Sequence, residues 1–470
     1  MMVSLGVSAE PTRNVLLIAI DDLRTELGCY GRDHVDSPNL DALAQQGVLF
    51  ENHFVQVATC GASRYALLTG RSPARTGVRS GNAGFYRGSS ALNSEPQVGA
   101  QTLPELFRRN GYHTVCIGKI SHTADGRVFA YDGSGDGREE LPHAWDELAT
   151  PLGTWKRGWG VFFAYSGGRH REDGNGHRNL MEFTAKDDED LPDGQMATVA
   201  IQHLQELAKR GQPFFMGLGF IKPHLPFVAP KQDWEAMASR PIPPPKHAGL
   251  TLTRYGHESN EFFKYEMDLT KSRPLSPKDA LQARRGYMAC VRYTDRQVGR
   301  VLRALSSLGL SESTIVVVWG DHGWFLGDAA LWGKHSPLER AVRSPLIIRA
   351  PGIHRSRRCA AVVESLDLYP TLIELADLND RKTQFDLDGK SLEPLLRGNA
   401  KQIHEVAVSY WRDAVTVRDA QHRLVYRESG DGPRDVELYD IQSDLDPLSN
   451  LADDRPDVVR RLWAAAVARQ

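Results

Sequence analysis

The chain has 470 residues, of which 41% are hydrophobic and 25% are charged, and its formal net charge is -2. This length allows a large buried core, and the balanced charge excludes a general electrostatic attraction to nucleic acid or to an anionic membrane. No apolar run reaches about 18 residues, so we predict no membrane-spanning helix. The cysteines are widely spaced and odd in number, which leaves the compartment open: Cys29, Cys60, Cys116, Cys290 and Cys359.

The first residues, MMVSLGVSAEP, contain a Val-Ser-Ala that is similar to the end of a secretory signal without its basic and apolar regions. An ordinary frayed N-terminus accounts for the same residues. We therefore expect a periplasmic or secreted protein and keep a cytoplasmic one as the alternative.

The first predicted strand covers residues 15–20, VLLIAI, and ends at two adjacent aspartates, Asp21 and Asp22. A continuous apolar run indicates a parallel strand that is buried on both faces, and open α/β sheets place their active sites at the carboxyl ends of such strands. Adjacent carboxylates repel one another unless a cation relieves them, so the pair suggests a metal site, with a helix N-cap as the alternative. The segment SPNLDALAQQG then predicts an amphipathic helix that ends at Gly47, and the run VLFENHFVQ connects it to Cys60.

Residues 59–71, TCGASRYALLTGR, contain the most informative pair of the chain, Cys60 and Arg64. We place Cys60 at a helix N-terminus, where exposed backbone N–H groups favour an anion. Arg64 lies one turn later on the same face, where a guanidinium can hold both Cys60 and a tetrahedral oxyanion. The stretch suits a nucleophile that attacks sulfate or phosphate esters, and a buried core cysteine is the alternative.

The next strand, HTVCIGK over 113–119, ends at Lys119, and His122 follows three residues later. The two side chains can face one site as a fixed charge and a proton carrier. A surface lysine and a capping histidine are the alternative. Residues 123–193 predict functional surface loops, since they are long and irregular. They contain a basic cluster that is either a contact for an anionic sugar or a solvated basic loop: Arg169, His170, Arg171, His177 and Arg178.

A helix over 196–211 leads into the strand PFFMGLGF, and prolines on both sides then present His224 rigidly within KPHLPF. Residues 277–309 predict a long amphipathic helix whose apolar stripe is core. The strand STIVVVWG ends at Asp321 and His322. Three carboxylates and one histidine at strand ends match a hard divalent cation, Ca²⁺ or Mg²⁺, better than a structural zinc.

Lys334 and His335 precede the strand SPLIIRA over 344–350. Residues 361–378 predict a helix. The chain then predicts a small antiparallel unit with strands near 405–411, 414–418, 423–427 and 436–440, followed by a last helix.

Together these motifs resemble those of the type I, formylglycine-dependent sulfatases. The resemblance rests on the paired aspartates, CGASR with LLTG, GKISH, KPHLPF, GDHGWFLGD with LWGKHS, and ELYDIQSDLDPLSNLA, in this order over nearly the whole chain. KPHLPF, the spacing from DHGW to WGKHS and the short C-terminal part look most like the iduronate-2-sulfatase branch. The family motif has Pro two residues after the Cys, where this chain has Ala62.

The resemblance implies the fold of the alkaline phosphatase superfamily, an α/β protein with a large mixed, mostly parallel sheet between helices and a small C-terminal antiparallel α+β subdomain. We expect the catalytic sulfatase domain to span residues 1–395 and the subdomain to span residues 396–470.

It also implies one calcium ion and a formylglycine that a formylglycine-generating enzyme makes from Cys60. The metal would polarise the sulfate and lower the pKa of the attacking hydroxyl. The expected calcium ligands are Asp21, Asp22, Asp321, His322 and the modified Cys60. The departure at Ala62 bears on this maturation, because the modifying enzyme recognises the segment as an unfolded peptide.

For catalysis, the resemblance implies that Arg64 steadies the gem-diol of the hydrated aldehyde, while Lys119 and Lys334 share the sulfate charge of the transition state. His224 is expected to protonate the leaving sugar oxygen, and His122 to take a proton from the second gem-diol hydroxyl. The two histidine roles are interchangeable at this stage.

The expected substrate is a sulfated carbohydrate, such as a 2-O-sulfated uronic acid, and His335 is a further candidate substrate contact. Two other functions remain open from the sequence. A phosphodiesterase or phosphonate monoester hydrolase of the same superfamily would use a related site. A non-catalytic protein that binds sulfated glycans would retain the fold without maturation at Cys60.

Overall fold

The computed structural model describes residues 13–249, 253–256, 259–266, 269, 272–353, 356–430, 432–442 and 449–469. The strands are β1 Asn14–Ile20, β2 Val48–Phe54, β3 His113–Gly118, β4 Glu147–Leu148, β5 Met181–Glu182, β6 Phe214–Phe220, β7 Phe227–Val228, β8 Thr314–Gly320, β9 Phe325–Leu326, β10 Trp332–Gly333, β11 Leu346–Arg349, β12 Arg357–Glu364, β13 Ala407–Trp411, β14 Ala414–Arg418, β15 His422–Arg427 and β16 Arg434–Asp440. The α-helices are α1 Pro38–Gln46, α2 Cys60–Thr69, α3 Pro73–Thr76, α4 Leu103–Arg109, α5 Gly158–Phe162, α6 Pro192–Arg210, α7 Lys231–Ala238, α8 Pro277–Ser307, α9 Glu339–Val342, α10 Leu368–Leu375, α11 Glu393–Arg397 and α12 Pro456–Val467.

The main sheet has eight strands in the order β12-β2-β11-β8-β1-β6-β3-β4. Strand β11 runs antiparallel to both of its neighbours, whereas the other pairs are parallel. The expected large, mixed and mostly parallel sheet is therefore confirmed. Its central strand, β1, is buried along its whole length, as the run VLLIAI predicted.

The alternation of side chains along β1 divides the core into two layers. Leu16, Ile18 and Ile20 join the cluster that includes α1, α6, α7 and α8. Val15 and Leu17 join the cluster on the opposite face, where α2, α4, α10 and α11 pack. Helices thus cover both faces of the sheet, and only its strand ends are left for a site.

The C-terminal part forms a separate four-stranded antiparallel sheet in the order β13-β14-β15-β16. Helix α12 packs on one face through Val458, Leu462 and Ala466. The other face meets the main body, where Ala407 and Val425 pack against Phe54. The four predicted strands and the last helix are confirmed, and the boundary at residue 395 stays a prediction.

The helix predicted over residues 361–378 is wrong in its first part. Residues up to Glu364 belong to β12, which pairs in parallel with β2, and the helix begins only at Leu368. A capping box between Glu364 and Asp367 ends the strand and starts a helical turn. The apolar run AVV gave no periodicity to distinguish a buried strand from a helix.

Among the described residues, no helix combines the length and the apolar character needed to cross a membrane. The MMVSLGVSAEP segment lies outside the described residues, and so does most of the motif IQSDLDPLSN.

Candidate active site

Two neighbouring strands of the main sheet end in polar residues at the same edge. Strands β1 and β8 pair in parallel with Ile20 opposite Gly320, so the residues that follow them lie side by side. Four such residues are fully buried: Asp21, Asp22, Asp321 and His322. The sheet topology therefore brings together the two motifs that the sequence separates by 299 positions.

Helix α2 brings Cys60 to these carboxylates. The Cys60 Sγ lies 3.3 Å from His322 Nε2 and 4.0 Å from Asp22 Oδ1. A Cβ on Gly61 would lie 2.4 Å from the Asn82 backbone, and the Gly61 N–H donates to Asn82 Oδ1 over 2.8 Å. The close approach requires glycine and fixes the first turn of the helix. The predicted helix start at Cys60 is confirmed.

Two buried lysines neutralise part of the acidic cluster. Lys334 Nζ donates to Asp22 Oδ1 over 2.8 Å and to Cys60 Sγ over 3.2 Å. Lys119 Nζ donates to Asp21 Oδ2 over 2.7 Å. Burial alone would lower the pKa of Lys334, but the charge of Asp22 holds it well above its usual range. Both ammonium groups are therefore fixed cations next to the thiol.

Arg64 is fully buried and bridges the two strand ends. Its Nε donates to Asp321 Oδ2 over 2.9 Å, and its Nη2 donates to Asp21 Oδ1 over 3.4 Å. Its Nη1 donates to the carbonyl oxygens of Lys119 and Ile120. The guanidinium thus holds two carboxylates and the loop of Lys119 in place, whereas its contact with a gem-diol stays a prediction.

His224 reaches the carboxylate cluster from the loop after β6. Its Nδ1 lies 2.6 Å from the carbonyl oxygen of Leu225, which directs the Nδ1 hydrogen away from the site. Its Nε2 lies 3.8 Å from Asp22 Oδ2 and 3.3 Å from Glu261 Oε1. Burial and the charge of Lys334 lower the pKa of His224 to about 4.

His122 lies beside the site without joining the cluster. Its ring is 5.3 Å from the Trp159 ring, and its Nδ1 is buried with no hydrogen-bond partner among the described residues. The Glu140 carboxylate accepts the backbone N–H groups of His122 and Thr123 over 2.9 and 2.8 Å. Burial and the charge of Lys119 hold the pKa of His122 well below its usual range.

His335 faces the start of α2. Its Nε2 lies 3.2 Å from the Thr59 hydroxyl, and its ring stacks on Trp411 of the C-terminal sheet at 4.8 Å. Burial and the charge of Lys334 lower its pKa to about 3. The stacking accounts for its orientation, and a contact between His335 and substrate stays a prediction.

The donor atoms at the strand ends fit a hard divalent cation. His322 Nδ1 lies 3.0 Å from the Gly323 carbonyl oxygen, which turns Nε2 toward the carboxylates, 3.3 Å from Asp22 Oδ1. Within the described part of the chain, Asp22 Oδ2 is buried without a hydrogen-bond partner. Acceptors that face acceptors need a cation between them, and carboxylate oxygens suit calcium or magnesium. One atom from each of four residues lies within 4.8 Å of the others: Asp21, Cys60, Asp321 and His322.

The cysteine itself is a poor nucleophile in this environment. Burial and the negative charge of Asp21 raise the pKa of the Cys60 thiol to about 12. The thiol therefore stays protonated at neutral pH, in contrast to catalytic cysteines, whose pKa is lowered. The site as built favours a nucleophile other than the thiolate.

Sequence reasoning missed several residues that complete the site. Glu261 lies between two predicted catalytic groups, with Oε1 3.3 Å from His224 and Oε2 3.5 Å from Lys334. Tyr287 of α8 donates its hydroxyl to the carbonyl oxygen of Asp22, which has a left-handed φ of 58°. Glu261 follows no strand and carries no motif, whereas Tyr287 looked like core on the apolar stripe of α8.

Comparisons with known proteins identify the family to which the chain belongs. Residues 13–378 match the model named Sulfatase, and residues 320–465 match the model of the N-sulphoglucosamine sulphohydrolase C-terminal region. The chain is 32% identical to the iduronate 2-sulfatase of Mus musculus over 409 residues, or 79% of this chain and 70% of that protein. The Homo sapiens iduronate 2-sulfatase is 32% identical over 401 residues, or 78% of this chain and 69% of that protein.

A solved structure shows the same fold. The phosphonate monoester hydrolase of Agrobacterium radiobacter superposes with a TM-score of 0.74 at 22% identity, over 97% of this chain and 96% of that one. Together with this likeness, the sheet topology defines an α/β fold with a site at the strand ends of a mixed, mostly parallel sheet. Within that class, the chain belongs to the sulfatase family. It is a sulfuric ester hydrolase, and the resemblance to the iduronate-2-sulfatase branch is confirmed.

Proposed function

We propose that the chain hydrolyses a sulfate ester on a sulfated sugar of a glycan or glycosaminoglycan. The observation that carries the proposal is the position of Cys60, whose Sγ lies 3.2 Å from Lys334 Nζ and 3.3 Å from His322 Nε2 at the strand ends of a sulfatase fold. The name of the two mammalian relatives supports a 2-O-sulfated uronic acid as the sugar.

Two groups supply chemistry that the unmodified side chains lack. Formylglycine made from Cys60 would supply, as a hydrated aldehyde, one hydroxyl that attacks sulfur and a second whose deprotonation releases sulfate. Calcium would supply positive charge next to the sulfate oxygens. Besides residue 60, its proposed ligands are Asp21, Asp22, Asp321 and His322.

The remaining steps belong to side chains of the pocket. Lys119 and Lys334 would stabilise the charge that builds up on the sulfate, and their burial strengthens this interaction. His224 would give a proton from Nε2 to the leaving sugar oxygen after the negative charge of the bound sulfate ester raises its pKa, and His122 would take a proton from the residue at position 60. Arg64 would hold the carboxylates of Asp21 and Asp321 in position while these charges change.

Maturation would precede folding. Every residue of α2 is buried, including Cys60 and Ala62, so a formylglycine-generating enzyme would have to act on this segment before the helix packs. This maturation enzyme is the proposed protein partner. Ala62 is 1% exposed inside a helix, where alanine is well tolerated. We extend the proposal to a periplasmic or secreted location, which cell fractionation tests.

The test is sulfate release by protein that is co-expressed with a formylglycine-generating enzyme. We expect turnover of an aryl sulfate and faster turnover of a 2-O-sulfated uronate disaccharide than of a 6-O-sulfated hexosamine. A strong preference for an aryl phosphate diester would instead favour the phosphonate hydrolase function. Binding of sulfated disaccharides without turnover by fully matured protein would favour a lectin-like function.

A further inference from the structure

An aromatic wall borders the two histidines of the site. Helix α5 spaces Trp159 and Phe162 by three residues, which puts them on the same face. The Trp159 ring lies 5.3 Å from the His122 ring, and the Phe162 ring lies 4.6 Å from the His224 ring. A leaving sugar that takes its proton from one of these histidines must therefore emerge along this wall.

Tyr131 continues the wall toward solvent. Its ring meets the rings of Trp159 and Phe163 edge to face, at 4.5 and 5.7 Å. It is 47% exposed, although Trp159 and Phe163 beneath it are buried. An exposed tyrosine ring on a rigid aromatic base is the kind of surface on which the apolar face of a sugar ring packs.

Arg171 lies at the same place and is held rigidly. Its guanidinium carbon is 3.4 Å from the centre of the Phe163 ring and 5.7 Å from that of Tyr131. Its Nη1 donates to the Tyr265 hydroxyl over 3.2 Å, and its Nε pairs with Glu172 Oε1 at 2.7 Å. Among the described residues, Nη2 has no hydrogen-bond partner, and the side chain keeps 15% of its surface exposed. One edge of a preorganised guanidinium is thus available to an oxyanion.

We propose that Tyr131 and Arg171 form a subsite for the sugar on the leaving-group side of the bond that is cleaved. The sugar ring packs on Tyr131, and its carboxylate, as in a uronic acid, binds the Nη edge of Arg171. This inference rests on the proposed function and names the feature of the substrate that the subsite selects. A second sulfate group on the substrate would offer Arg171 the same kind of oxyanion as the carboxylate does. The experiment below distinguishes these two anions.

The experiment compares kcat/KM for four substrates with the matured enzyme: an aryl sulfate, a 2-O-sulfated uronate disaccharide, its carboxyl-reduced form, and a carboxyl-reduced form with an additional sulfate. Arg171→Met should lower kcat/KM for the uronate disaccharide by about tenfold or more, mainly through KM. The aryl sulfate and the carboxyl-reduced forms should change by less than about threefold, because they lack the carboxylate. Arg171→Lys should recover part of the loss, since it retains the charge.

Tyr131→Ala should lower kcat/KM for all three disaccharides, and Tyr131→Phe should retain it, because the ring provides the contact. The matched control is Arg71→Met, which removes a guanidinium that lies 4.0 Å over the Phe385 ring. It should leave all four substrates unchanged.

Equal losses for Arg171→Met on the aryl sulfate and the uronate disaccharide would overturn the subsite, as would no loss on either. A loss confined to the substrate with the additional sulfate would overturn the assignment to a carboxylate. Failure of the wild-type enzyme on every sulfate ester would refute the proposed function itself, a different result from a uniform response of the variants.

Discussion

Among the residues that the structure describes, two buried regions have carboxylate and histidine atoms close enough to hold a metal ion. One lies at the strand ends of the main sheet around Asp22. The other lies at the junction with the C-terminal sheet and contains Glu364, Asp367 and His404. Both are almost completely removed from solvent. Proximity of ligand atoms therefore does not distinguish them.

The hydrogen bonds do distinguish them. Arg469 donates to both oxygens of Glu364, at 2.8 and 2.6 Å. Asp367 accepts His404 Nε2 over 2.8 Å and the Glu364 N–H over 2.8 Å. Every carboxylate oxygen of this junction cluster thus faces a donor, whereas at the strand ends Asp22 Oδ2 has no donor among the described residues and His322 faces carboxylates. We infer from this difference that the junction cluster stabilises the fold, and it supports the proposal that the strand-end cluster holds a cation.

The largest effect should come from the nucleophile at the strand ends. Cys60→Ala and Cys60→Ser should both abolish multiple turnover, at least about a thousandfold in kcat, because neither can provide a hydrated aldehyde. Cys359→Ala, at a buried cysteine of β12, is the matched control and should retain activity. Steady-state sulfate release measures all three, and normal turnover by either Cys60 variant would contradict the mechanism.

Asp22→Asn and Glu364→Gln test the comparison directly. Asp22→Asn should lower kcat by at least about a hundredfold and abolish the rise in Tm that calcium gives the wild type. Glu364→Gln should retain the response to calcium and the activity but lose about 2 kcal/mol of stability, because a charged hydrogen bond to Arg469 is removed.

Thermal unfolding after chelation, with calcium or magnesium then added back, measures both variants and the choice of ion. A Glu364→Gln protein that no longer responds to calcium, beside an Asp22→Asn protein that does, would reverse the assignment of the two clusters.

Acid should weaken the junction through another carboxylate, Glu339. Its Oε2 accepts Arg423 Nε over 2.8 Å and lies 3.3 Å from Arg418 Nε. Burial opposes ionisation, but the charges of these arginines lower the pKa of Glu339 from 4.5 to about 2. The stabilisation is thus fully present above about pH 4.5 and is lost as the pH falls toward 2, on the order of 3 kcal/mol in all.

Tm measured between pH 6 and about pH 2.5 should fall less steeply for Glu339→Gln than for the wild type. Curves of Tm against pH that run parallel for the two proteins would show that protonation of Glu339 does not destabilise the junction.

A smaller effect is expected at Glu261, which touches two groups of the strand-end site. Glu261→Gln should lower kcat by about tenfold on a sulfated sugar and less on an aryl sulfate, because a poor leaving group depends more on the orientation of His224. Glu266→Gln, in the same segment, is the control. An equal loss across a series of leaving groups would assign Glu261 to folding instead of proton transfer.

The sequence predicts the strand-end site well, because a continuous apolar run followed by Asp21 or Asp321 fixes both the strand and the position of its polar end. It does not predict which carboxylates have a hydrogen-bond donor for each oxygen. The partner of Glu364 is Arg469, 105 residues away, and no local pattern joins them.

The residues at the rim of the pocket cannot be predicted from the sequence for the same reason. Tyr131 and Arg171 lie in irregular segments, where neither periodicity nor capping residues indicate a position. Their proximity depends on Phe163, which both side chains contact. The helix predicted over 361–378 was wrong in its first part for a similar reason. Those residues form a strand because they pair with β2, a contact that the local sequence does not specify.

The proposed mechanism depends on formylglycine at position 60. The most direct measurement is the mass of the tryptic peptide that spans residues 33–64, taken with sulfatase turnover from the same preparation co-expressed with a formylglycine-generating enzyme. We expect a mass loss that matches conversion of the thiol to an aldehyde, and turnover that scales with the converted fraction. Full turnover from protein in which the peptide carries only the unmodified thiol would contradict it.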